Sequence, residues 1–229
     1  GFVIYDECHH LGAEVFSKAL LKTNFKYLLG LSATPKRIDG LSKVFEWYLG
    51  PMVYIIKNRL EETVDVKVIK YTNKEEGYCK EKLNQMGKPM MPSMINNITT
   101  FEPRTELIIS EIKYCLEKGR KILVLSDRRE HLKDIKTKID MINPNLYKTG
   151  FYLGGMKKDE LEITEKANVI LGTFSMASEG FDCKYPLNTL ILASPKSNIE
   201  QAVGRILREE AIHRKFIPLV IDIWDNFSL

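Results

Sequence analysis

Hydrophobic and polar positions along the chain form two blocks in which strand patterns alternate with helix patterns. Short apolar runs such as 2–5 are typical of strands buried in a parallel sheet, whereas apolar residues recur at helical spacing from 13 to 21. The elements predicted in the first block are strand 2–5, helix 13–21, strand 27–31, helix 42–49 and strands 52–56 and 64–71. Strands that alternate with helices in this way indicate an α/β fold.

The second block has the clearer pattern and predicts a parallel sheet covered by helices on both faces. Its predicted elements are a helix that begins near 108, strand 121–125, helix 129–142, strands 169–172 and 189–193, helix 199–208 and strand 217–223. Between the blocks, residues 73–100 are rich in Lys, Glu, Asn, Met and Pro and show no strong apolar period. We therefore predict a first lobe at 1–72, a linker with some helix at 73–100 and a second lobe at 101–229.

Composition narrows the class of protein without naming a function. The chain has 229 residues, of which 44% are hydrophobic and 28% are charged, enough to bury a core. The formal net charge of +4 is compatible with a phosphate-rich partner but does not require one. The four cysteines form no CxxC pair, and no apolar run approaches the ~18 residues of a membrane span. These features favour an intracellular protein with reduced thiols and no membrane partner.

Two adjacent carboxylates follow the first apolar run. Because ligands of open α/β sheets bind at the carboxyl ends of the strands, we expect Asp6 and Glu7 to face a ligand crevice. One carboxylate can hold Mg²⁺ while its neighbour orients and deprotonates an attacking water. Ser32 and Thr34 follow the strand at 27–31, where hydroxyl groups could bond to the carboxylate and imidazole of a neighbouring strand end. The alternative for each piece alone is an ordinary polar turn.

Arginine and hydroxyl residues provide the candidate chemistry of the second block. Arg205 and Arg208 lie three residues apart on a predicted helix, so their two guanidinium groups share one face and suit a polyphosphate. Gln201 lies about one turn earlier on a nearby face. Thr173 could bond a nucleic-acid phosphate and Asp182 a ribose hydroxyl. The alternative for the two arginines is a solvated basic face of a helix. The alternative for the segment that contains Thr173 and Asp182 is a loop with a helix cap.

Taken in order, these pieces resemble the sequence motifs of the superfamily 2 helicases. Each motif alone is a weak signal, but the ordered set is specific and covers nearly the whole chain, from 2 to 223. Among these helicases, the motif sequences are most similar to those of DNA translocases that act in repair and transcription and to those of helicases from large DNA viruses. The matching segments are 6–9 for motif II in its Asp-Glu-Cys-His form, 32–34 for motif III, 123–128 for motif IV, 173–182 for motif V and 201–208 for motif VI.

The resemblance implies two RecA-like lobes with parallel sheets and with ATP between them. Asp6 would hold Mg²⁺ and Glu7 would activate water, while Arg205 and Arg208 would reach the γ-phosphate, Arg208 as the arginine finger. Such motors contact the nucleic-acid backbone, so little sequence specificity is expected, with DNA favoured over RNA. The other implied roles are coupling for His9, Gln201, Ser32 and Thr34, nucleotide contact for Gly180 and Asp182, and contact with the nucleic-acid backbone for Ser126, Arg128 and Thr173.

One element of the family pattern does not occur in this chain. A phosphate-binding loop reads Gly-x-x-x-x-Gly-Lys followed by Ser or Thr, and no such string is present. In the family this loop precedes motif II, and the chain starts at motif II without an initiator Met. The expectation is an incomplete first lobe whose missing amino-terminal part carries the loop. The isolated chain is then expected to be inactive, whereas the intact parent hydrolyses ATP.

Two other functions stay open from the sequence. The chain could be a nucleic-acid-binding module that does not hydrolyse ATP, or a regulatory partner that donates Arg208 in trans. The joint presence of Asp6, Glu7, Arg205 and Arg208 argues against a non-hydrolysing module. The compartment is expected to be intracellular, or an infected host cell if the source is viral.

Overall fold

Parallel strand pairs organise both parts of the chain. The computed structural model describes residues 1–22, 24–33, 35, 37, 39–55, 63–142, 147–179, 181 and 183–226, with all their side chains except those at 19 and 179. The chain divides into Gly1–Leu60 and Glu61–Leu229, which we call unit 1 and unit 2. All pairs between named strands are parallel. The predicted α/β class with parallel sheets is confirmed.

The described part of unit 1 has a small sheet with helices packed on it. Its elements are β1 (Phe2–Tyr5), a short 3-10 helix (Cys8–Gly12), α1 (Glu14–Leu20), β2 (Tyr27–Gly30) and α2 (Ser42–Leu49). The strands pair from Phe2 opposite Tyr27 to Tyr5 opposite Gly30. The buried core of the unit consists of Cys8, Leu11, Leu20 and Phe45. The strand and helix predictions for 2–5, 13–21, 27–31 and 42–49 are therefore confirmed.

The strand predicted at 52–56 is wrong for the part that the structure describes. Residues 52–55 form no strand, and their side chains are between 53% and 85% exposed; Ile56 lies outside the described residues. A run of β-formers makes a strand only when a neighbouring strand supplies backbone partners and a packing surface. No described strand pairs with 52–55.

Unit 2 contains a six-stranded parallel sheet in the order β3-β8-β7-β4-β6-β5. One face packs on α5 and α6 through Ile122 and Val124, and the other packs on α8 and α9 through Leu123 and Leu125. The elements are β3 (Asp65–Thr72), α3 (Glu76–Cys79), α4 (Met91–Thr100), α5 (Glu102–Glu117), β4 (Ile122–Leu125), α6 (Arg129–Ile142), β5 (Thr149–Tyr152), α7 (Lys158–Thr164), β6 (Val169–Gly172), α8 (Phe174–Glu179), β7 (Thr189–Leu192), α9 (Glu200–Ile206), a short 3-10 helix (Ala211–His213) and β8 (Leu219–Asn226).

The division between the units differs from the predicted one. Strand β3, predicted as the last strand of the first lobe, pairs along its whole length with β8 and is therefore an edge strand of unit 2. The predicted linker 73–100 also belongs to unit 2, where Tyr78, Ile98 and Phe101 form a buried cluster. The apolar pattern of a parallel strand does not specify which sheet it joins, because its partner lies far away in the sequence.

Three short elements of unit 2 fall in segments without a predicted element. Strand β5 and helices α7 and α8 contain 4, 7 and 6 residues. Elements of this length show at most two helical turns or two strand alternations, too few to stand out from a loop. No helix among the described residues is long and apolar enough to cross a membrane.

A buried ion pair holds the ends of β7 and β8 to α5. Arg104 donates from Nε to Asp225 Oδ1 at 2.6 Å and from Nη2 to Asp225 Oδ2 at 2.8 Å, and the two side chains are 0% and 1% exposed. A third donor of Arg104, Nη1, binds the carbonyl oxygen of Ala193 at 2.7 Å, just after β7. The Tyr78 hydroxyl donates to Asp225 Oδ1 at 3.1 Å. Every partner in this network is therefore satisfied from several elements at once.

Replacement of Arg104 by Met should lower the free energy of unfolding of unit 2 by about 3–5 kcal/mol, because Asp225 would stay buried without a cation. Urea unfolding would be followed by the fluorescence of Trp224 in a Trp47→Phe background, since the chain has two tryptophans. Lys133→Ala, which removes an exposed pair with Glu130, serves as the control and should cause no measurable loss. An Arg104→Met loss no larger than that of the control would contradict the role of the buried pair.

Candidate functional site

The carboxylates Asp6 and Glu7 lie in a tight turn directly after β1. Glu7 has φ 48° and ψ 45°, in the left-handed region, and no other non-glycine residue of the described chain has positive φ. Its backbone N–H donates to Asp6 Oδ1 at 2.9 Å, which helps to offset the strain of that conformation. The turn leaves Asp6 exposed and Glu7 half-buried at the end of the strand. Motif II therefore has a specific backbone shape that periodicity could not reveal.

Backbone hydrogen bonds continue beyond β1 and β2 and join the predicted motifs II and III. Leu31 N–H donates to Tyr5 O at 2.8 Å, and Cys8 N–H donates to Leu31 O at 2.9 Å. The side chains then meet, because His9 Nδ1 lies 2.9 Å from Ser32 Oγ. The structure thus brings together the predicted coupling residues His9 and Ser32, both on the side of the sheet where the strands end.

The carboxylate of Glu7 keeps one oxygen in a buried position. Glu7 Oε2 has no hydrogen-bond partner among the described residues, and His9 Nδ1 is 3.3 Å away. Since Nδ1 lies closer to Ser32 Oγ, we take the serine contact as its hydrogen bond and the glutamate contact as electrostatic. A buried carboxylate oxygen without a donor can accept a proton from a water molecule, the chemistry expected of a general base.

Cys8 packs between this turn and β2. Burial, and next the charges of Glu7 and Asp6, raise the pKa of the Cys8 thiol, although the hydrogen bond from its own backbone acts in the opposite direction. Its sulfur can approach β2 because Gly30 has no side chain, since a Cβ there would lie 3.0 Å from Cys8 Sγ and 2.5 Å from Leu49 Cδ1. Cys8 is therefore a neutral packing residue rather than a nucleophile.

Arg37 supports motif II, and the sequence analysis assigned it no role. Its Nη1 donates to His9 O at 2.8 Å, and its Nε donates to Asp39 Oδ1 at 2.9 Å. The arginine passes so close to Gly12 that a Cβ there would lie 3.0 Å from Arg37 Cδ. Only the folded chain shows which carbonyl the arginine binds.

In unit 2, the two predicted phosphate-binding arginines bind the segment that follows β6. Arg205 donates from Nε to Ala177 O and from Nη2 to Ser178 O, both at 2.7 Å, and Arg208 donates from Nη2 to Phe181 O at 3.1 Å. Helix α9 ends at Ile206, so the prediction that both arginines lie on one helical face is wrong for Arg208. They are nevertheless brought together, because both turn towards the predicted motif V.

The hydroxyl group of Ser126 points into the interior. Ser126 is fully buried, and its Oγ lies 3.2 Å from His131 Nδ1 and accepts from the Arg128 N–H at 3.2 Å. A direct contact with nucleic acid, predicted for Ser126, does not fit this position. The residue instead fixes the backbone that carries Arg128. Its own N–H donates to Gly172 O at 3.2 Å, which places the ends of β4 and β6 side by side.

Arg128 and Thr173 are the remaining predicted contacts with nucleic acid. Arg128 donates from Nη2 to Pro92 O at 3.0 Å and from Nε to the side-chain oxygen of Asn96, so it binds the first turns of α4. Thr173 is nearly buried, with its hydroxyl 3.2 Å from Ser175 Oγ. Three residues that support this region carried no signal in the sequence: Arg104, His131 and Asn96. The sequence does not distinguish a buried polar side chain from an exposed one.

Several predicted residues stand apart from these contacts. Thr34, Gly180 and Asp182 lie outside the described residues. Gln201 lies in the first turn of α9 and is half-buried.

A magnesium ion would fit the turn after β1 only together with a phosphate ligand. The described residues contain no group of three or more His, Cys, Asp or Glu side chains that could hold a metal ion by themselves. Mg²⁺ bound to a nucleotide needs fewer protein ligands, usually one or two carboxylates with phosphate oxygens and water. Asp6, exposed at the strand end, meets that requirement.

Comparison with known proteins links the chain to helicases and to subunits of restriction enzymes. The family model described as type III restriction enzyme, res subunit, matches residues 1–37. A candidate ATP-dependent RNA helicase of Acanthamoeba polyphaga mimivirus is 39% identical over 230 residues, which cover 98% of this chain and 43% of that protein. The chain spans about half the length of the curated relatives it matches.

Solved structures share the fold. A fragment of a candidate HsdR subunit of a type I restriction enzyme from Vibrio vulnificus superposes with a TM-score of 0.68 at 19% identity, covering 99% of this chain and 43% of the other. The helicase MrfA, bound to DNA and AMPPNP, gives 0.64 at 14% identity and covers 97% of this chain and 30% of the other. At these identities the likeness concerns the fold alone, and it confirms the predicted RecA-like class.

The stability of unit 2 should fall in weak acid because of His131. Burial, and next the charge of Arg104, lower the pKa of His131 to about 3, whereas a histidine in the unfolded chain has a pKa of about 6.5. Between those values only the unfolded state binds the proton, so stability is complete above about pH 6.5 and declines as the pH falls towards 3. From pH 7.5 to pH 5, the free energy of unfolding should drop by roughly 2 kcal/mol.

The measurement is urea unfolding of the chain at both pH values. His131→Gln can keep the hydrogen bonds but cannot titrate, so this variant should lose most of the pH dependence. His213→Gln, at an exposed histidine, is the matched control and should retain it. An unchanged pH dependence in His131→Gln would show that other groups cause it.

Proposed function

The chain belongs to the superfamily 2 helicases, and on that premise we propose that it carries part of an ATP-dependent DNA motor that couples ATP hydrolysis to movement along the nucleic-acid backbone. The observation that carries the proposal is the joined end of β1 and β2, where the Asp6-Glu7 turn is bonded through His9 to Ser32. A strand-end turn built only for packing needs neither two adjacent carboxylates nor a bonded histidine and serine.

In the proposed mechanism the turn after β1 performs the hydrolytic step. Asp6 would hold Mg²⁺, which would neutralise charge on the phosphates when bound. Glu7 accepts a proton from the attacking water at its buried Oε2. The two residues are linked because the Glu7 N–H donates to Asp6 Oδ1, which orients the Asp6 carboxylate.

Coupling is assigned to the contact between His9 and Ser32. Any change in the position of Glu7 on hydrolysis alters the environment of His9 Nδ1, which lies within 3.3 Å of Glu7 and 2.9 Å of Ser32. The serine is thereby a sensor of the state of the carboxylate. We propose the same role for Thr34, by its place in motif III, and for Gln201 in unit 2.

Arg205 and Arg208 are proposed to stabilise the charge that develops on the γ-phosphate, with Arg208 as the arginine finger. Two observations support this division of roles. Arg205 is fixed by two backbone carbonyl groups of motif V, whereas Arg208 lies on more exposed backbone after α9. Gly180 and Asp182, from the same motif, are proposed to line the nucleotide.

Nucleic acid is proposed to contact Arg128 and Thr173, with Ser126 as a positioning residue beneath them. DNA is the proposed substrate, because the motif sequences are most similar to those of DNA translocases. The mimivirus relative carries the name of an RNA helicase, and RNA is therefore the competing substrate in the test below.

The decisive assay measures steady-state ATP hydrolysis by the protein as its gene encodes it, with single-stranded DNA or RNA as the stimulating ligand. Glu7→Gln should lower the stimulated rate by about 10²–10⁴-fold, because the amide cannot accept the proton, while binding of a fluorescent ATP analogue persists. Glu14→Gln makes the same chemical change at an exposed position of α1 and should leave the rate unchanged.

Each outcome of this assay is informative. Stimulation by DNA and not RNA supports the proposal, whereas stimulation by RNA alone replaces the substrate but keeps the motor. Nucleic-acid binding without hydrolysis in the wild type would instead favour a non-hydrolysing module. Equal rates for Glu7→Gln and wild type would remove Glu7 from the mechanism.

A further inference from the structure

The segment between α3 and α4 forms a closed hairpin, although it was predicted as a linker. Met90 N–H donates to Lys82 O at 2.7 Å, and Asn84 N–H donates to Lys88 O at 2.8 Å, with Leu83 and Pro89 in an antiparallel bridge. We call residues 82–90 the 82–90 hairpin. Its two arms are held by backbone bonds, so it has a defined shape rather than that of a flexible tether.

The tip of the hairpin is built around Asn84. The side-chain oxygen of Asn84 accepts from the N–H groups of Met86 and Lys88 at 2.9 and 3.0 Å, and its carbonyl oxygen accepts from Gly87 at 3.0 Å. Gly87 has φ 73°, a conformation that suits glycine. These bonds use the backbone of Met86 alone and leave its side chain to point outward.

Apolar side chains of the hairpin face solvent. Met86, at the tip, is 82% exposed, and Leu83 is 51% exposed. Met86 is one of the most exposed large apolar side chains among the described residues. Methionine suits contact with flat or irregular partners because it is flexible and polarizable. The tip is thus a contact residue without a described partner in this chain.

The charge around this apolar tip is positive. Lys82 begins the first arm and Lys88 lies beside the tip on the second arm, and neither forms an ion pair with any described residue. Lys80 is paired with Glu76, and Glu81 is the one acidic residue between 80 and 91. An apolar tip between two unpaired lysines suits a partner that offers flat apolar surface flanked by phosphates. A hydrophobic peptide groove would not require the lysines.

The hairpin is fixed to the region proposed to hold the nucleic-acid backbone. Its second arm runs directly into α4, and the first turns of α4 are bonded to Arg128 through Pro92 O and Asn96. The chain just before its first arm is held by Asn97 of α4, whose Nδ2 donates to Lys80 O at 3.1 Å. A strand lying on Arg128 would therefore pass near a structure that is anchored on both sides.

From these observations we propose that the 82–90 hairpin meets the junction at which a base-paired nucleic acid opens. The Met86 side chain packs against the last base pair, and Lys82 and Lys88 lie beside the phosphates of the separating strands. Apolar side chains that insert beside base steps unstack them in this way. The inference rests on the proposed function and adds to it a residue that acts on duplex rather than on single strands.

The test uses the protein as its gene encodes it, without ATP, and two labelled substrates. A forked duplex carries 2-aminopurine at the first paired position, so that its fluorescence rises when the base unstacks, and a fluorescein-labelled single strand reports affinity by anisotropy. The forks are made in DNA and in RNA. The variant is Met86→Ser, and the matched control is Met141→Ser, an equally exposed methionine on α6.

Wild type and Met141→Ser should raise the 2-aminopurine fluorescence of the fork, and Met86→Ser should lose most of that rise. Its single-strand affinity should stay within about twofold of wild type, because the side chain makes no contact in the folded chain. The double variant Lys82→Gln/Lys88→Gln removes two phosphate contacts. The slope of log affinity for the fork against log salt concentration should therefore become less steep by roughly 1.5.

Two results would overturn the hairpin assignment while the motor stands: a fluorescence rise in Met86→Ser equal to that of wild type, or an equal loss of affinity for fork and single strand. If Met86→Ser keeps the fluorescence rise on the fork but no longer binds a protein that associates with the wild type, the tip would be assigned to a protein partner instead. A wild type that binds neither DNA nor RNA would end the proposed function itself, and the hairpin inference with it.

Discussion

Parallel strand pairing is the constraint on which the placement of every candidate residue depends. Parallel strands end at the same edge of their sheet, so polar residues that follow different strands become neighbours. In unit 1 this brings His9 to Ser32, from segments more than twenty residues apart in sequence. In unit 2 it places Ser126 after β4 beside Gly172 at the end of β6. The same residues on antiparallel strands would lie at opposite edges and could not form one site.

At that edge of unit 2, a buried polar network holds helices and strands together, as apolar contacts do elsewhere in the core. Arg104 joins α5 to the ends of β7 and β8 through Ala193 and Asp225, and Tyr78 adds α3 to the same carboxylate. Such a network stabilises the fold only when every member has a partner, which makes its geometry specific. His131 is buried in the same unit, and its burial together with the nearby charge of Arg104 makes the unit sensitive to protonation of this histidine.

The candidate arginines have a structural role that is separate from the one proposed for them. Arg205 binds carbonyl groups at the carboxyl end of α8, a location where cations are favourable because those carbonyls lack helical partners. Arg208 binds the carbonyl of Phe181 further along the same segment. Motif VI is thereby connected to motif V, and a shift in one segment is expected to move the other. A lysine in place of Arg205 could not keep both hydrogen bonds in the planar geometry of the guanidinium group.

The sequence by itself determined the fold class, most of the long elements and the position of polar residues at the ends of two strands. Apolar runs such as 122–125 and a helical period such as 129–142 are local signals, and the adjacent acids Asp6-Glu7 need no folding to be seen. Only the tertiary structure decided that β3 joins the second sheet, that Ser126 is buried, and that 82–90 is a hairpin closed by Asn84. Each of these depends on partners distant in sequence or on bonds to a particular backbone atom, and periodicity contains no information about either. The left-handed Glu7 and the buried charge of Arg104 belong to the same class, because burial and strain exist only in the folded chain.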